Sequence, residues 1–318
     1  MFALEKITGH SLSDLLTLEL IEPLGLNSSS CAQPASSERS LVPFNASASS
    51  YNLDLFDLAP SGGFYSSLNA LTKVGRSILN STFLTPAMTR KCMKPATFTS
   101  NANYSVGTPW EIIRAPGDRN SHLYTKSGGM GLYSAEFVLM PDYDVGFNVL
   151  AAGPASGTYI NRLSDLISEI FYPALEAAAK AEADCTYAGT FRDPSGLNSS
   201  ITVITDSRPG LGLQQWIFNG TDITSAFASQ LLPFLPSPPK GAKIVARLYP
   251  TGLQTAKDGQ LTRTAFRAGF GTLSFMVHCR SDHLWEHRLG RVRFQSRPGW
   301  EGGQRGAESV AADSSADC

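Results

Sequence analysis

Apolar residues recur at helical spacing through residues 3–24, with a break at Gly9-His10. In the second half Leu15, Leu16, Leu18, Ile21 and Leu24 form the apolar set, Ser11 or Ser13 is placed to cap it, and Pro23-Leu24-Gly25 ends it. Residues 27–58 are rich in Ser, Ala and Asn without periodicity, which predicts a long surface connection. After a turn at Pro60-Ser61-Gly62-Gly63, the segment 66–79 puts Leu68, Leu71, Val74, Ile78 and Leu79 on one helical face. Thr85-Pro86 restarts a short helix, and the aromatic and β-branched stretch 104–114 predicts a strand. Three β-like runs follow at 123–126, 133–140 and 145–151, the last two joined by a hairpin connection at Pro141-Asp142-Tyr143-Asp144. Ile160, Leu163, Leu166, Ile167, Ile170 and Leu175 then mark an amphipathic helix over 158–183.

From about Cys185 the pattern changes. Short β runs at 187–191, 200–205, 213–218 and 242–249 alternate with Gly, Pro, Asn and Asp, the signature of a small all-β barrel or sandwich. Past Gly271 the pattern fails: no Ile follows Ile244, no Tyr follows Tyr249 and no Lys follows Lys257. A disordered tail accounts for such a composition, and a read-through or shifted frame accounts better for its abrupt onset. The expected organisation is therefore α+β over 1–184, a small β module over 185–272 and a divergent tail over 273–318.

With 318 residues, 42% of them hydrophobic, the chain is long enough to bury one large core or two smaller ones. A net charge of −1 gives no electrostatic reason to expect nucleic acid or an anionic membrane as partner. No run of 18 apolar residues occurs, so no segment reads as a membrane span. Six of the twelve asparagines begin Asn-x-Ser/Thr (Asn27, Asn45, Asn80, Asn103, Asn198 and Asn219), against about two expected by chance. That excess favours a chain that passes through a secretory pathway, as an N-glycosylated protein. The residues from Met1 to Lys6 nevertheless carry no recognisable signal peptide, so either the chain is not exported as it stands or its true start lies upstream. Five cysteines (Cys31, Cys92, Cys185, Cys279 and Cys318) include no C-x-x-C pair; the odd count leaves at least one without a partner in the chain, and spacing does not determine the pairings.

The chemistry concentrates in His122-Leu-Tyr-Thr-Lys126-Ser127-Gly128-Gly129-Met-Gly131, followed by the apolar run from Tyr133 to Met140. At a strand end, lysine supplies a fixed positive charge, serine a hydrogen-bond donor, and glycine room for a ligand backbone. The alternative for Lys126 is an ordinary surface lysine. Together with the segments 3–9, 21–26, 60–67, 139–146 and 247–252, this stretch resembles the secreted β-lactamase-like proteins of fungi, within the class C β-lactamase and penicillin-binding-protein superfamily. The resemblance covers roughly residues 3–270. It implies the C-terminal part of the β-lactamase/transpeptidase-like fold, an antiparallel sheet with helices and the long helix lying across it, followed by a lipocalin-like module. It also implies a serine hydrolase acting through an acyl-enzyme on a small-molecule or peptide ester or amide. Lys126, Ser127, Gly128 and Gly129 would bind substrate, the Gly129 amide would face the oxyanion, and no cofactor is implied.

Two elements of that chemistry are missing. Ser-x-x-Lys occurs only as Ser237-Pro-Pro-Lys240, whose prolines forbid the helical turn that brings serine and lysine together. Tyr-x-Asn occurs only as Tyr159-Ile-Asn161, after the Lys126 strand and inside the predicted long helix. The resemblance would put both elements before Met1, so the chain is expected to open mid-domain and to be inactive alone. The alternative is a non-catalytic secreted glycoprotein or binding relative. No Gly-x-Ser-x-Gly elbow, Walker loop or His-Glu-x-x-His is present. His278, Cys279, Asp282, His283, Glu286 and His287 have ligand-like spacing but lie in the divergent tail, so no metal site is assigned. His10 and His122 are expected to be surface or packing histidines, Trp110 and Trp216 core or rim aromatics, and Tyr133 and Ser134 either cleft lining or strand packing.

Overall fold

The computed structural model describes residues 2–34, 36–55, 58–115, 121–231, 233, 244–257, 260–272 and 291–295. They fall into two compact units, residues 1–116 with 121–175, and 117–120 with 176–318. The sequence-based boundary at 184/185 thus lies nine residues beyond the division after Leu175.

The first unit opens with α1 (Phe2–Thr8) and, beyond Gly9 at φ +73°, α2 (Leu12–Leu16). Ser11 caps α2 by accepting from the Asp14 amide at 3.1 Å, and the Leu12 amide donates to Glu5 at 2.9 Å. A π-helical turn (Thr17–Ile21) continues into α3 (Glu22–Leu24), which Gly25 ends in the left-handed conformation. The connection that follows is mostly irregular but holds α4 (Ala46–Ser49), and the expected turn at Pro60 is a helical one, α5 (Ala59–Gly62).

Helix α6 (Leu68–Leu79) starts at Ser67, whose hydroxyl accepts from the Ala70 amide. Its inward face keeps four of the five expected residues, with Ile78 and Leu79 packed on the core around Trp110, but small residues lie deepest. Leu68 is half-exposed, Leu71, Val74, Ile78 and Leu79 are partly buried, and the innermost positions are the small Ala70, Gly75 and Ser77. Proximity to the sheet is the reason: a Cβ on Gly75 would sit 3.3 Å from both Leu139 Cδ2 and Phe137 Cζ. Helix α7 (Pro86–Cys92) has Pro in its first turn and Thr85 as cap.

The sheet of this unit is a six-stranded antiparallel meander, β1 (Thr97–Phe98), β2 (Tyr104–Val106), β3 (Glu111–Arg114), β4 (His122–Met130), β5 (Tyr133–Met140) and β6 (Val145–Ala152), paired in that order. The stretch 104–114 is thus two strands rather than one. Alternation along β5 builds a core on each side. Leu139 joins Met93, Trp110 and Ile112 on one face, while Val138 and Met140 join Ala115, Leu123 and Tyr172 on the other. Trp110 is therefore a core residue, stacked on Phe137 with centroids 6.3 Å apart.

Helix α8 (Ser156–Tyr187) is longer at both ends than its apolar pattern indicated. It buries Ser156, Ile160 and Tyr172, but Tyr159, Leu163, Leu166 and Ile170, spaced four, three and four residues apart, are 45–60% exposed. Much of the apolar set that identified the helix thus forms an uncovered stripe.

The second unit has a seven-stranded sheet ordered β13-β12-β11-β9-β8-β7, with β10 paired to β9. Its strands are β7 (Gly189–Arg192), β8 (Ser200–Ile204), β9 (Leu211–Phe218), β10 (Thr221–Asp222), β11 (Ile244–Lys257), β12 (Gln260–Thr272) and β13 (Arg291–Gln295), with α9 (Ile223–Leu231) between β10 and β11. Ile201, Val203, Leu211, Leu213, Ala246, Leu248, Phe266 and Ala268 form its core, against which Trp216 packs while stacking on Phe270. Within 273–318, expected to be a disordered tail, β13 extends this sheet; its Arg-Val-Arg-Phe-Gln alternation suits an edge strand, and the remainder lies outside the described residues.

Arg247 of β11 is the polar centre of the second unit. Only 3% exposed, it donates to both oxygens of Asp206 at 2.8 and 2.9 Å and to the carbonyls of Arg208, Pro209 and Gly210. Burial pushes the Asp206 carboxyl up, but Arg247 outweighs it and the pKa is lowered. Removing one partner of such a buried pair costs about 3–5 kcal/mol.

The uncovered stripe on α8 leads to a test. Wild-type protein should bind the hydrophobic dye ANS, and replacing Leu163, Leu166 and Ile170 by Gln should abolish most of that signal while changing stability by only about 0.5 kcal/mol, as for exposed positions. A wild type that binds no dye would show that the stripe is covered in solution.

Candidate functional site

The candidate site is built at the end of β4. Leu123 and Thr125 are buried, whereas Lys126, Ser127, Gly128 and Gly129 are exposed. The two-residue turn into β5 uses Gly131 at φ +58°, where a Cβ would meet the Ser49 carbonyl at 2.8 Å. Leu132 donates its amide to that same carbonyl at 3.3 Å, and the Tyr133 hydroxyl donates to the Leu41 carbonyl at 3.0 Å. The connection through 41–49 thus clasps the β4–β5 turn, and Tyr133 is a packing residue. Ser134 is likewise engaged, its hydroxyl 2.9 Å from that of Ser156 at the start of α8. Gly128 and Gly129 have no positive φ, and a Cβ on either would find its nearest neighbour 3.9 Å away. Both are exposed, and a Cβ at either would make only ordinary contact with β5.

The electrostatic partner of this strand end is Glu111, a residue that no sequence motif marks. The register pairs Glu111 with Thr125, one residue before Lys126. Lys126 Nζ donates to Glu111 Oε1 at 2.5 Å and to the Ser127 carbonyl at 3.0 Å. Ser127 donates its hydroxyl to Glu111 Oε2 at 2.9 Å and its amide at 3.3 Å. One carboxylate therefore holds both the lysine and the serine. Both members of the ion pair are about half-exposed, at 49% and 46%, so solvent screens it.

Partial burial raises the Glu111 pKa, but the hydrogen bonds from Lys126 and Ser127 outweigh it and the net shift is downward. Glu136, across from Ser127 on β5, is shifted upward, first by burial and then by Glu111 and Asp165, with Lys126 opposing. Glu111 thus stays ionised and is a weak base. Its bond to Ser127 orients that hydroxyl without activating it as a nucleophile.

The remaining sequence candidates fall elsewhere. Tyr159-Ile160-Asn161 lies near the start of α8, with Ile160 buried and Tyr159 and Asn161 exposed. Ser237 to Lys240 and the six residues from His278 to His287 lie outside the described residues. No metal-binding group is found among the described residues. His122 is partly buried beside Tyr124, and burial holds its pKa below the ordinary value. Cys31, Cys92 and Cys185 are free thiols; Cys279 and Cys318 lie outside the described residues. All six sequon asparagines, Asn27, Asn45, Asn80, Asn103, Asn198 and Asn219, are exposed. Among the described residues no helix is long and apolar enough to cross a membrane.

Comparison with known proteins gives two family matches, Beta-lactamase over residues 2–170 and the C-terminal domain of a group described as Beta-lactamase-like-like over 179–281. A Beta-lactamase-like protein of Arthroderma benhamiae is 28% identical over 284 residues, 84% of this chain and 47% of that protein. The Probable hydrolase M10 of a Phoma species is 27% identical over 230 residues, 69% of this chain and 37% of that protein. The chain thus spans less than half the length of these two relatives. A beta-lactamase/D-alanine carboxypeptidase from Yersinia pestis superposes with a TM-score of 0.42 at 16% identity, over 52% of this chain and 51% of that one.

The Glu111 contacts can be checked by titration. Carboxyl-detected NMR should find Glu111 titrating below an ordinary glutamate, and Lys126→Ala should move it back upward. An ordinary pKa in wild type, unmoved by the substitution, would mean that the ion pair does not persist in solution.

Proposed function

We propose that this chain, which belongs to the β-lactamase family, carries the substrate-holding strand of a serine hydrolase site and binds esters or amides without acylating itself. The observation that carries the reading is the end of β4, where a lysine, a serine and two glycines are exposed in succession. Lys126 supplies charge, Ser127 a donor, and Gly128 and Gly129 room for the backbone of a small-molecule or peptide ligand. The Gly129 amide takes the oxyanion role by resemblance.

Acyl transfer needs more than this strand. A serine Oγ must attack the carbonyl as a neighbouring base takes its proton, and the departing oxygen or nitrogen must then be protonated. In the superfamily this chain resembles, Ser-x-x-Lys and Tyr-x-Asn provide those groups. Here Ser-x-x-Lys occurs once, at Ser237 and Lys240 with two prolines between, and Tyr-x-Asn once, inside α8. Ser127 is no substitute, because its proton is directed at a carboxylate held weakly basic by Lys126. On this reading the chain is a partial form of the hydrolase domain. Hydrolysis by the longer relatives remains a property of those proteins.

The full-length form of this family is also proposed to be an exported glycoprotein without nucleic-acid or membrane partners. Six exposed sequons, about three times the chance expectation, support export, and the net charge of −1 supports the absence of polyanionic partners.

Intact-mass spectrometry tests the chemical claim. After incubation with a fluorescent penicillin or a fluorophosphonate the protein should keep its original mass. A stoichiometric adduct on any serine would overturn the proposal and identify a nucleophile in the chain.

A further inference from the structure

We infer that Glu111 determines ligand specificity at the β4 strand end, setting it for uncharged esters and amides and against ligands that present a carboxylate. The inference rests on the reading of Lys126 and Ser127 as ligand contacts. A carboxylate arriving there would seek the Lys126 ammonium with one oxygen and the Ser127 hydroxyl and amide with the other. Glu111 already does this: Oε1 takes Lys126 at 2.5 Å, and Oε2 takes the Ser127 hydroxyl at 2.9 Å and its amide at 3.3 Å. The chain's own carboxylate is thus a competitor for a ligand's, tethered by the β3–β4 register and present at high effective concentration.

Charge acts in the same direction. Lys126 and Glu111 sum to zero, and Glu136 lies across from Ser127 on the neighbouring strand, so an approaching anion finds no net positive field from these groups. A neutral carbonyl has no such obstacle. It needs a single donor, and Lys126, whose three ammonium hydrogens meet two acceptors here, can supply it without breaking the ion pair. The pair is about half-exposed and therefore worth little, so a carboxylate is disfavoured by a modest factor rather than shut out.

The experiment compares benzylpenicillin, which has a free carboxylate, with its methyl ester, which lacks it. Dissociation constants are measured at neutral pH on the full chain for wild type, Glu111→Gln and Lys126→Ala. Glutamine keeps the size of glutamate and the site is exposed, so the fold is retained, and circular dichroism verifies this. Wild type should bind the ester about two- to fivefold more tightly than the acid. Glu111→Gln should tighten the acid about two- to fivefold, the range that corresponds to an exposed ion pair, and leave the ester within twofold. Lys126→Ala should weaken both probes. If Lys126→Ala weakens both while Glu111→Gln leaves the ratio of acid to ester unchanged, the role of Glu111 is overturned and the ligand-contact reading stands. If Lys126→Ala changes neither affinity, or no form of the protein binds either probe, that reading falls and the role of Glu111 falls with it.

Discussion

The antiparallel register of β4 between β3 and β5 is the constraint on which the candidate site depends. It pairs Glu111 with Thr125 and Ser127 with Glu136, so a carboxylate from each neighbouring strand lies beside the Lys126-Ser127 end. A slip of one residue would exchange the two faces of β4, sending Leu123 and Thr125 outward and breaking the bonds to Glu111. The register is held from both sides. One core holds Trp110, Ile112 and Leu139, the other Leu123, Val138 and Met140. At the turn, Gly131 fits where any side chain would strike the Ser49 carbonyl. Apolar packing beneath thus positions the site, while Lys126 and Glu111 stay half-exposed and Glu136 is buried.

Much of this was legible in the chain. The apolar run of β5, the Pro141 connection, a serine cap at Ser11 or Ser13, the helix restart at Thr85-Pro86 and the long amphipathic helix are local signals, and local signals survive folding. Glu111 was not legible, because its importance arises only from a pairing that places it fifteen residues from Lys126 in sequence and in contact with it in space. The face of α6 was legible, but not which of its residues lie deepest. Periodicity marks large apolar residues, whereas close approach to the sheet needs a small one, and Gly75 occupies that place, with Ala70 and Ser77 also buried. Arg247 was visible only as part of a family-like stretch. The cause of its placement, a buried pairing with Asp206 forty-one residues away, required the fold.

The functional reading follows from the same separation of structure and chemistry. The strand proposed to hold a ligand has its lysine, serine and glycines positioned by β3 and β5. The group that attacks the ligand has to come from another element, and no suitable Ser-x-x-Lys is present in this chain. In the proposed function binding and turnover are separable, and the Lys126–Glu111 pair is proposed to favour a neutral carbonyl over a carboxylate.

A crystal structure of the full chain soaked with benzylpenicillin methyl ester would test this account most directly. The account predicts an intact β-lactam lying along Lys126, Ser127, Gly128 and Gly129, unbonded to any serine, with the Glu111 to Lys126 contact preserved. A ring-opened ligand joined to a serine, or a ligand bound only within residues 189–272, would contradict it.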